Sequence, residues 1–325
     1  MRFLTVMDPL PTVNPATDTT FAILEEAQAR GHENLVCGVA DLGCVGRRGM
    51  ARAWPATVRR PSANDPSHAT LGAPADIAFD DLDVIWMRKD PPVDDAYLSA
   101  CLLLDRHDRA RTVVLNDPIG LRTAHEKLWA LFADELGPAT MVSSRPAALV
   151  EFVRARGRGV LKPLHLMGGI GVMVFAADDP NLRSAADLLT GDGKRPALAQ
   201  EYLPAARQGD KRVIVLDGEP VGAVLRVPRD DEVRANLHAG ARAVRADVDD
   251  ADRLLCARIG PELRALGLFL VGIDVIGGKL TEVNVTSPTG VQQIDLLDER
   301  AGPARVVARI VDGAEIKVRE RRRQG

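Results

Sequence analysis

Val271-Gly-Ile-Asp274-Val-Ile-Gly-Gly-Lys-Leu-Thr-Glu282-Val-Asn284-Val-Thr-Ser-Pro288 is the stretch that decides the fold of this 325-residue chain. Apolar and polar residues alternate on both sides of Gly277-Gly278, which reads as two short strands joined by a tight turn. Asp274 falls on the first strand; Glu282 and Asn284 fall two apart on the second, hence on one face. A hairpin brings Asp274 beside them. Three hard oxygen donors then converge, a set suited to Mg²⁺ that keeps waters and is completed by nucleotide phosphates. Taken alone, the pattern serves equally well as a surface hairpin with solvated acids, so the rest of the sequence has to decide.

The chain is 46% hydrophobic and 27% charged, with only 4% aromatic residues, the composition of a globular protein with an aliphatic core. Its 42 basic and 45 acidic residues leave a formal charge of −3, which gives no sign of a nucleic-acid partner. No run of about 18 apolar residues marks a membrane span. Cys37, Cys44, Cys101 and Cys256 have no CxxC spacing, so neither a disulfide framework nor a zinc site is expected, and a reducing cytoplasm fits.

The first third alternates strand-like and helix-like pieces, as βαβ units do. Strands are expected at Phe3 to Met7, Val36 to Val39, Asp83 to Met87 and Thr112 to Leu115, and helices at Thr19 to Arg30 and Asp95 to Asp108. Arg59 to Ala75 reads as a loop. A second unit follows, with helices at His125 to Leu136 and Ala147 to Arg156 and strands at Gly159 to Lys162, Val172 to Phe175 and Leu198 to Tyr202. Asp210 to Leu216 and Val221 to Val227 form a hairpin about Asp217-Gly218. Pro228 to Val244 is charged and lacks periodicity, and is expected to be a mobile lid that excludes water. A helix from Asp250 to Leu266 leads into the acidic hairpin. The units expected are 1–121, an N-terminal α/β unit; 122–203, a small central unit; 204–316, a C-terminal unit with the metal site; and 317–325, a basic, disordered tail.

Several constellations carry chemistry. Lys162-Pro163 ends a strand just before Met167-Gly168-Gly169-Ile170-Gly171, where glycines let backbone N–H groups approach phosphate oxygens. No Gly-Lys-Ser/Thr follows, so this is not a Walker A loop. Gln200-Glu201-Tyr202-Leu203 closes an apolar strand and offers backbone groups to an adenine edge. Arg88-Lys89-Asp90 follows the Asp83 to Met87 strand at the edge where α/β sheets bind ligands. Asp210-Lys211-Arg212 begins one strand of the next hairpin and Arg226 lies near the end of its partner, and arginine is the usual fork for carboxylate or phosphate. Each is unremarkable alone; together with the acidic hairpin they point to an anionic substrate facing a nucleotide.

At these residues the chain resembles the bacterial glutathione synthetases of the ATP-grasp superfamily. The matching motifs run in order from Val6-Met-Asp-Pro9, Asp18-Thr-Thr-Phe21 and Asp83-Val-Ile-Trp-Met-Arg-Lys-Asp-Pro-Pro92 through Glu126-Lys127-Leu128, Leu161-Lys-Pro163 and Gln200-Glu-Tyr-Leu-Pro204. Gly209-Asp-Lys-Arg-Val213 and Leu280-Thr-Glu-Val-Asn-Val-Thr-Ser-Pro-Thr289 complete them, so the match covers about residues 1 to 312. The resemblance implies an α/β, ATP-grasp architecture: an N-terminal α/β domain, a small central lid domain and a C-terminal domain. It implies ATP as cosubstrate with Mg²⁺, or Mn²⁺ in its place, and γ-glutamylcysteine and glycine as substrates joined through an acyl phosphate. It also implies a homo-oligomer in the cytoplasm.

By the same analogy Lys127, Lys162, Met167, Gly168 and Gly169 meet the phosphates. Gln200, Glu201, Tyr202, Leu203 and Asp210 border the nucleotide, and Asp274, Glu282 and Asn284 hold the metal. Arg212 and Arg226 act at the reacting centre, and Asp18, Arg88, Arg234, Asn236 and Ser287 meet the substrates. The sequence departs from the family at Arg234-Ala-Asn-Leu-His-Ala-Gly-Ala-Arg242, which has fewer glycines, and at Gly290-Val-Gln-Gln293, where a basic residue is often found. Cys37 to Ala75 matches poorly and is expected to form variable loops. The competing readings are an ATP-grasp ligase for a different acid and amine, and a nucleotide-binding protein without turnover.

Overall fold

The structure is a computed structural model and describes residues 1–63, 65–166, 168–229 and 240–324. Three sheets carry the described residues. The first is 8-stranded, with a parallel centre in the order Glu33–Cys37, Arg2–Val6, Val84–Met87, Val113–Leu115. These strands are short apolar runs, as a sheet covered on both faces requires. The helix Thr19–Ala29 starts where the Asp18 carboxylate accepts the Phe21 N–H at 2.6 Å. It stops before Gly31, whose φ of +77° a side chain would resist.

Cys37 to Ala75 is not a set of variable loops. Leu42–Val45, Arg48–Val58 and Ala69–Leu71 pair antiparallel at the sheet's edge, and Arg48–Val58 joins Glu33–Cys37. The buried residues of Arg48–Val58 are Gly49, Ala51 and Ala53 on one face, toward one core, and Ala56 and Val58 on the other, toward a second. The alternation is there, but small side chains carry it.

The expected helix from His125 to Leu136 is also corrected. The α-helix lies earlier, at Pro118–Thr123, where the Asp117 carboxylate caps the Ile119 N–H at 2.9 Å and proline occupies the first turn. Trp129–Leu136 is a 3₁₀ segment interrupted at Ala133 (φ −118°, ψ 53°). Lys127 therefore sits on the connection between the two.

The second sheet has 4 antiparallel strands, ordered Met173–Ala176, Arg158–Pro163, Ala197–Glu201, Thr140–Ser143. Helices Pro146–Ala155 and Leu182–Thr190 back it, the latter unforeseen from the sequence. This unit has a core of its own, built from Leu149, Val153, Leu161, Leu182 and Ala186 among others.

The third sheet has 5 antiparallel strands, ordered Arg242–Ala246, Glu219–Val227, Asp210–Leu216, Leu270–Ile276, Lys279–Asn284. Its core is continuous with that of the first sheet, since Leu4, Val6 and Ile85 cluster with Val213, Val271 and Ile273. Asn116 stitches the two together. Its Nδ2 donates to the Leu270 and Val285 carbonyls (2.9 and 2.7 Å) and its Oδ1 accepts the Leu270 N–H (2.8 Å).

Most of the segment expected to be a lid, Pro228 to Val244, lies outside the described residues. Its end begins the strand Arg242–Ala246. The basic tail is not a disordered end: it continues the helix Val306–Gln324. Val307, Ile310, Val311, Ala314 and Val318 recur at helical spacing and pack with Phe3, Val84 and Val113. Lys317 pairs with Asp217 at 2.7 Å and Arg322 with Asp83 at 2.5 Å.

Candidate functional site

The acidic hairpin forms as its sequence suggests. Leu270–Ile276 pairs with Lys279–Asn284, Asp274 stands opposite Glu282, and Gly277 and Gly278 take φ of +56° and +77° at the turn. Two successive residues at positive φ are what a two-residue hairpin turn of matching twist needs, and glycine supplies them without strain.

Asp274 is 4% exposed and lies between two buried arginines. Arg212 reaches it through Nε (2.5 Å) and Nη2 (3.1 Å), and Arg226 through Nη2 (3.0 Å). Burial opposes the charge on Asp274, yet the two guanidiniums hold its carboxyl well below the usual carboxylate range. Arg226 also pairs with Asp210 at 2.6 Å. Burial pushes the Asp210 carboxyl up, to about 6, against the pull of that arginine.

The proposed metal donors come together with a qualification. Glu282 Oε1 meets Lys127 Nζ at 3.2 Å, and Asn284 Nδ2 donates to the Gly272 carbonyl at 3.1 Å and lies 3.3 Å from Asp274 Oδ2. Among the described residues Glu282 Oε2 and Asn284 Oδ1 accept no hydrogen bond, and hard oxygens of this kind fit Mg²⁺. Asp274 instead has both oxygens committed to arginine. The set contains an amide, and no cluster of three His, Cys, Asp or Glu side chains suited to a metal occurs among the described residues.

A cleft between the second and third sheets is lined by Lys127, Lys162, Gly168, Gly169, Gln200, Glu201, Tyr202, Leu203 and Asp210, with Val160, Val174 and Ile276 as apolar walls. Lys162 Nζ donates to Gln200 Oε1 at 2.8 Å, and Gln200 Nε2 to Thr140 Oγ1 at 3.0 Å. Burial lowers the Lys162 pKa. Lys127 Nζ donates to the Leu166 carbonyl at 2.7 Å, which ties it to the start of the Gly-rich loop. Gly168 and Gly169 have φ of +66° and +75°. Met167 is outside the described residues. The Arg158 guanidinium covers the Tyr202 ring at 4.1 Å from its centroid, and Lys279 pairs with Glu201 at 3.5 Å.

A second cavity adjoins the first and shares Glu126, Gly168, Arg212 and Asn284 with it. Its other walls include Asp18, Asp90 and the segment Thr286 to Thr289. Ser287 Oγ donates to Asp90. Burial raises the Asp18 pKa, and one oxygen of that carboxylate caps a helix.

Two of the expected site residues stand behind the cavity walls. Arg88 does not line this cavity; it is 4% exposed and donates to Thr20 Oγ1 and to the Pro288 carbonyl, both at 3.1 Å. It therefore supports the wall from behind. Arg226 lines neither cavity and lies behind Asp274. Arg234 and Asn236 fall outside the described residues. Sequence reasoning missed Glu126, Asp90 and Thr286 as site residues, although all three stand inside the matched motifs.

Comparison with known proteins settles the family. The model of the prokaryotic glutathione synthetase N-terminal domain matches residues 1–122, and that of the prokaryotic glutathione synthetase ATP-grasp domain matches residues 126–299. The chain belongs to the prokaryotic glutathione synthetase family. It is 44% identical over 303 residues to the glutathione synthetase of Gloeobacter violaceus, covering 92% of this chain and 93% of that one. It is 40% identical over 316 residues to that of Citrobacter rodentium, covering 97% and 98%.

Among solved structures, D-cycloserine synthetase superposes with a TM-score of 0.65 at 17% identity over 98% of this chain and 100% of its own. The ATP-grasp ligase PsnB, complexed with Mg, ADP and a variant of its minimal precursor, superposes with a TM-score of 0.61 at 18% identity over 97% and 98%. At such identities the likeness speaks for the fold alone. This glutathione synthetase family member is thus an ATP-dependent ligase with the ATP-grasp fold, and the two family models meet between residues 122 and 126, just before Lys127.

Proposed function

We propose that the chain acts in glutathione biosynthesis, joining γ-L-glutamyl-L-cysteine to glycine with conversion of ATP to ADP and phosphate. The observation that carries this reading, beside family membership, is that the cleft walled by Lys127, Lys162 and apolar side chains shares Arg212 and Asn284 with the adjoining cavity lined by Asp18, Ser287 and Thr289. A carboxylate in the second cavity then faces a phosphate in the first. One cysteinyl carboxylate oxygen attacks the γ-phosphorus, and ADP leaves. The glycine amine attacks the carbonyl carbon of the acyl phosphate, phosphate departs with that oxygen, and the nitrogen releases its extra protons to solvent.

Positioning and charge neutralisation do most of this work. Lys127 and Lys162 take the phosphates, and the apolar walls beside Tyr202 and Leu203 take the base. Arg212 neutralises the acyl phosphate where the cavities meet, while Arg226 and Asp274 hold it there. Glu282 and Asn284 would hold Mg²⁺ through their oxygens, and the metal would supply charge neutralisation to the phosphates. Ser287 and Asp18 belong to the substrate side.

No helix among the described residues is long and apolar enough to cross a membrane. We place the enzyme in the cytoplasm as a homo-oligomer; its four cysteines are unpaired and three are buried, which suits a reducing compartment. The test is an ADP-release assay with Mg-ATP, γ-glutamylcysteine and glycine, each omitted in turn. Release is expected to need all three. Equal turnover with unrelated acids or amines would leave an ATP-grasp ligase of different substrates.

A further inference from the structure

We propose that Glu126 is a positioning residue that sets the substrate cavity in register with the nucleotide cleft. Its Oε1 accepts three hydrogen bonds from the end of the acidic hairpin: the Val285 N–H (3.1 Å), the Thr286 N–H (3.3 Å) and the Thr286 hydroxyl (2.9 Å). Its carbonyl accepts the Val283 N–H at 3.1 Å, adding a rung beyond the sheet's last strand. The next residue, Lys127, pairs with Glu282 on the same strand. Two adjacent side chains therefore grip one strand on either side of Asn284, one from the phosphate side and one from the substrate side.

Glu126 also walls both cavities, and the segment it grips runs directly into Ser287, Pro288 and Thr289 of the second. Burial and the nearby Glu282 raise its pKa, while Thr286 and Lys127 oppose that rise. A carboxylate in such a place is costly unless its hydrogen bonds are made, and their loss orphans backbone donors next to the substrate wall.

This inference rests on the ligase reading, and the test separates the two. Wild-type turnover with γ-glutamylcysteine and glycine tests that reading. Hydrogen exchange of the Val285 and Thr286 amides and calorimetric ADP binding test the grip without any turnover. In Glu126→Ala those amides should exchange faster. The ratio kcat/KM for donor and acceptor should fall by about tenfold to a hundredfold, the loss of hydrogen bonds to a charged group. ADP affinity should fall by less than kcat/KM does. Glu126→Gln keeps an acceptor oxygen and should recover most of the loss. Thr286→Val, which deletes only the hydroxyl, should reproduce part of it and serves if Glu126→Ala does not fold. Unchanged amide exchange in both Glu126→Ala and Thr286→Val, or equal losses for ADP and substrates with no rescue by glutamine, would overturn the proposal.

Discussion

Replacing Asp274 with Asn should unfold the protein more easily by an amount that the geometry sets. Arg212 and Arg226 are 6% and 4% exposed and share this carboxylate. Removing one partner of a buried pair costs about 3–5 kcal/mol, because the remaining charge is left uncompensated. Arg226 keeps Asp210 at 2.6 Å, whereas among the described residues Arg212 keeps only the Thr289 carbonyl at 3.2 Å. Most of the loss thus falls on one arginine, and about 3 kcal/mol, the lower end, is expected.

Urea unfolding followed by circular dichroism measures it at neutral pH. The Asp274 pKa is held below its ordinary 3.8, so its contribution is complete above that pH and fades as the pH falls toward the folded value. The gap between wild type and variant should therefore narrow in acid. A variant within about 0.5 kcal/mol of wild type at neutral pH, the range of an ordinary surface substitution, would refute the claim that Asp274 anchors both arginines.

Glu282→Gln should lower kcat by about a hundredfold, the scale of losing one preorganised electrostatic stabiliser; near-normal activity with unchanged Mg²⁺ dependence would remove Glu282 from the metal set. His125 is pushed down from 6.5 to about 4, mainly by burial and then by His165 and Lys127. Because its folded pKa lies below the unfolded one, stability is full above about 6.5 and declines as the pH falls toward 4. His125→Gln should flatten that decline in unfolding measured across the range. Gly120→Ala would set a Cβ 2.1 Å from the Leu266 carbonyl oxygen, and a loss of about 1–3 kcal/mol is expected in urea unfolding; no loss would mean the junction with the third sheet has slack.

The acidic hairpin was legible because its alternation, its glycine pair and its acids all agree. The Arg48–Val58 strand was not, because Gly49, Ala51, Ala53 and Ala56 give little hydrophobic contrast and the buried face switches between Ala53 and Ala56. The helix at Pro118–Thr123 had its cap and proline in plain view, but at 6 residues it is too short for a period to register. Charge hid the C-terminal helix, whose apolar stripe ends only at Val318. At the site, residue types were readable and their partners were not. Arg88 and Arg226 look like substrate forks in sequence, and only the packing shows each of them buried behind a cavity wall.

The most direct test of the central claim follows one oxygen atom. γ-Glutamylcysteine carrying ¹⁸O in its cysteinyl carboxylate, turned over with Mg-ATP and glycine, should yield glutathione and phosphate in which one labelled oxygen has moved to the phosphate. That transfer is what an acyl phosphate formed at the junction of the two cavities requires. Phosphate without label would contradict it.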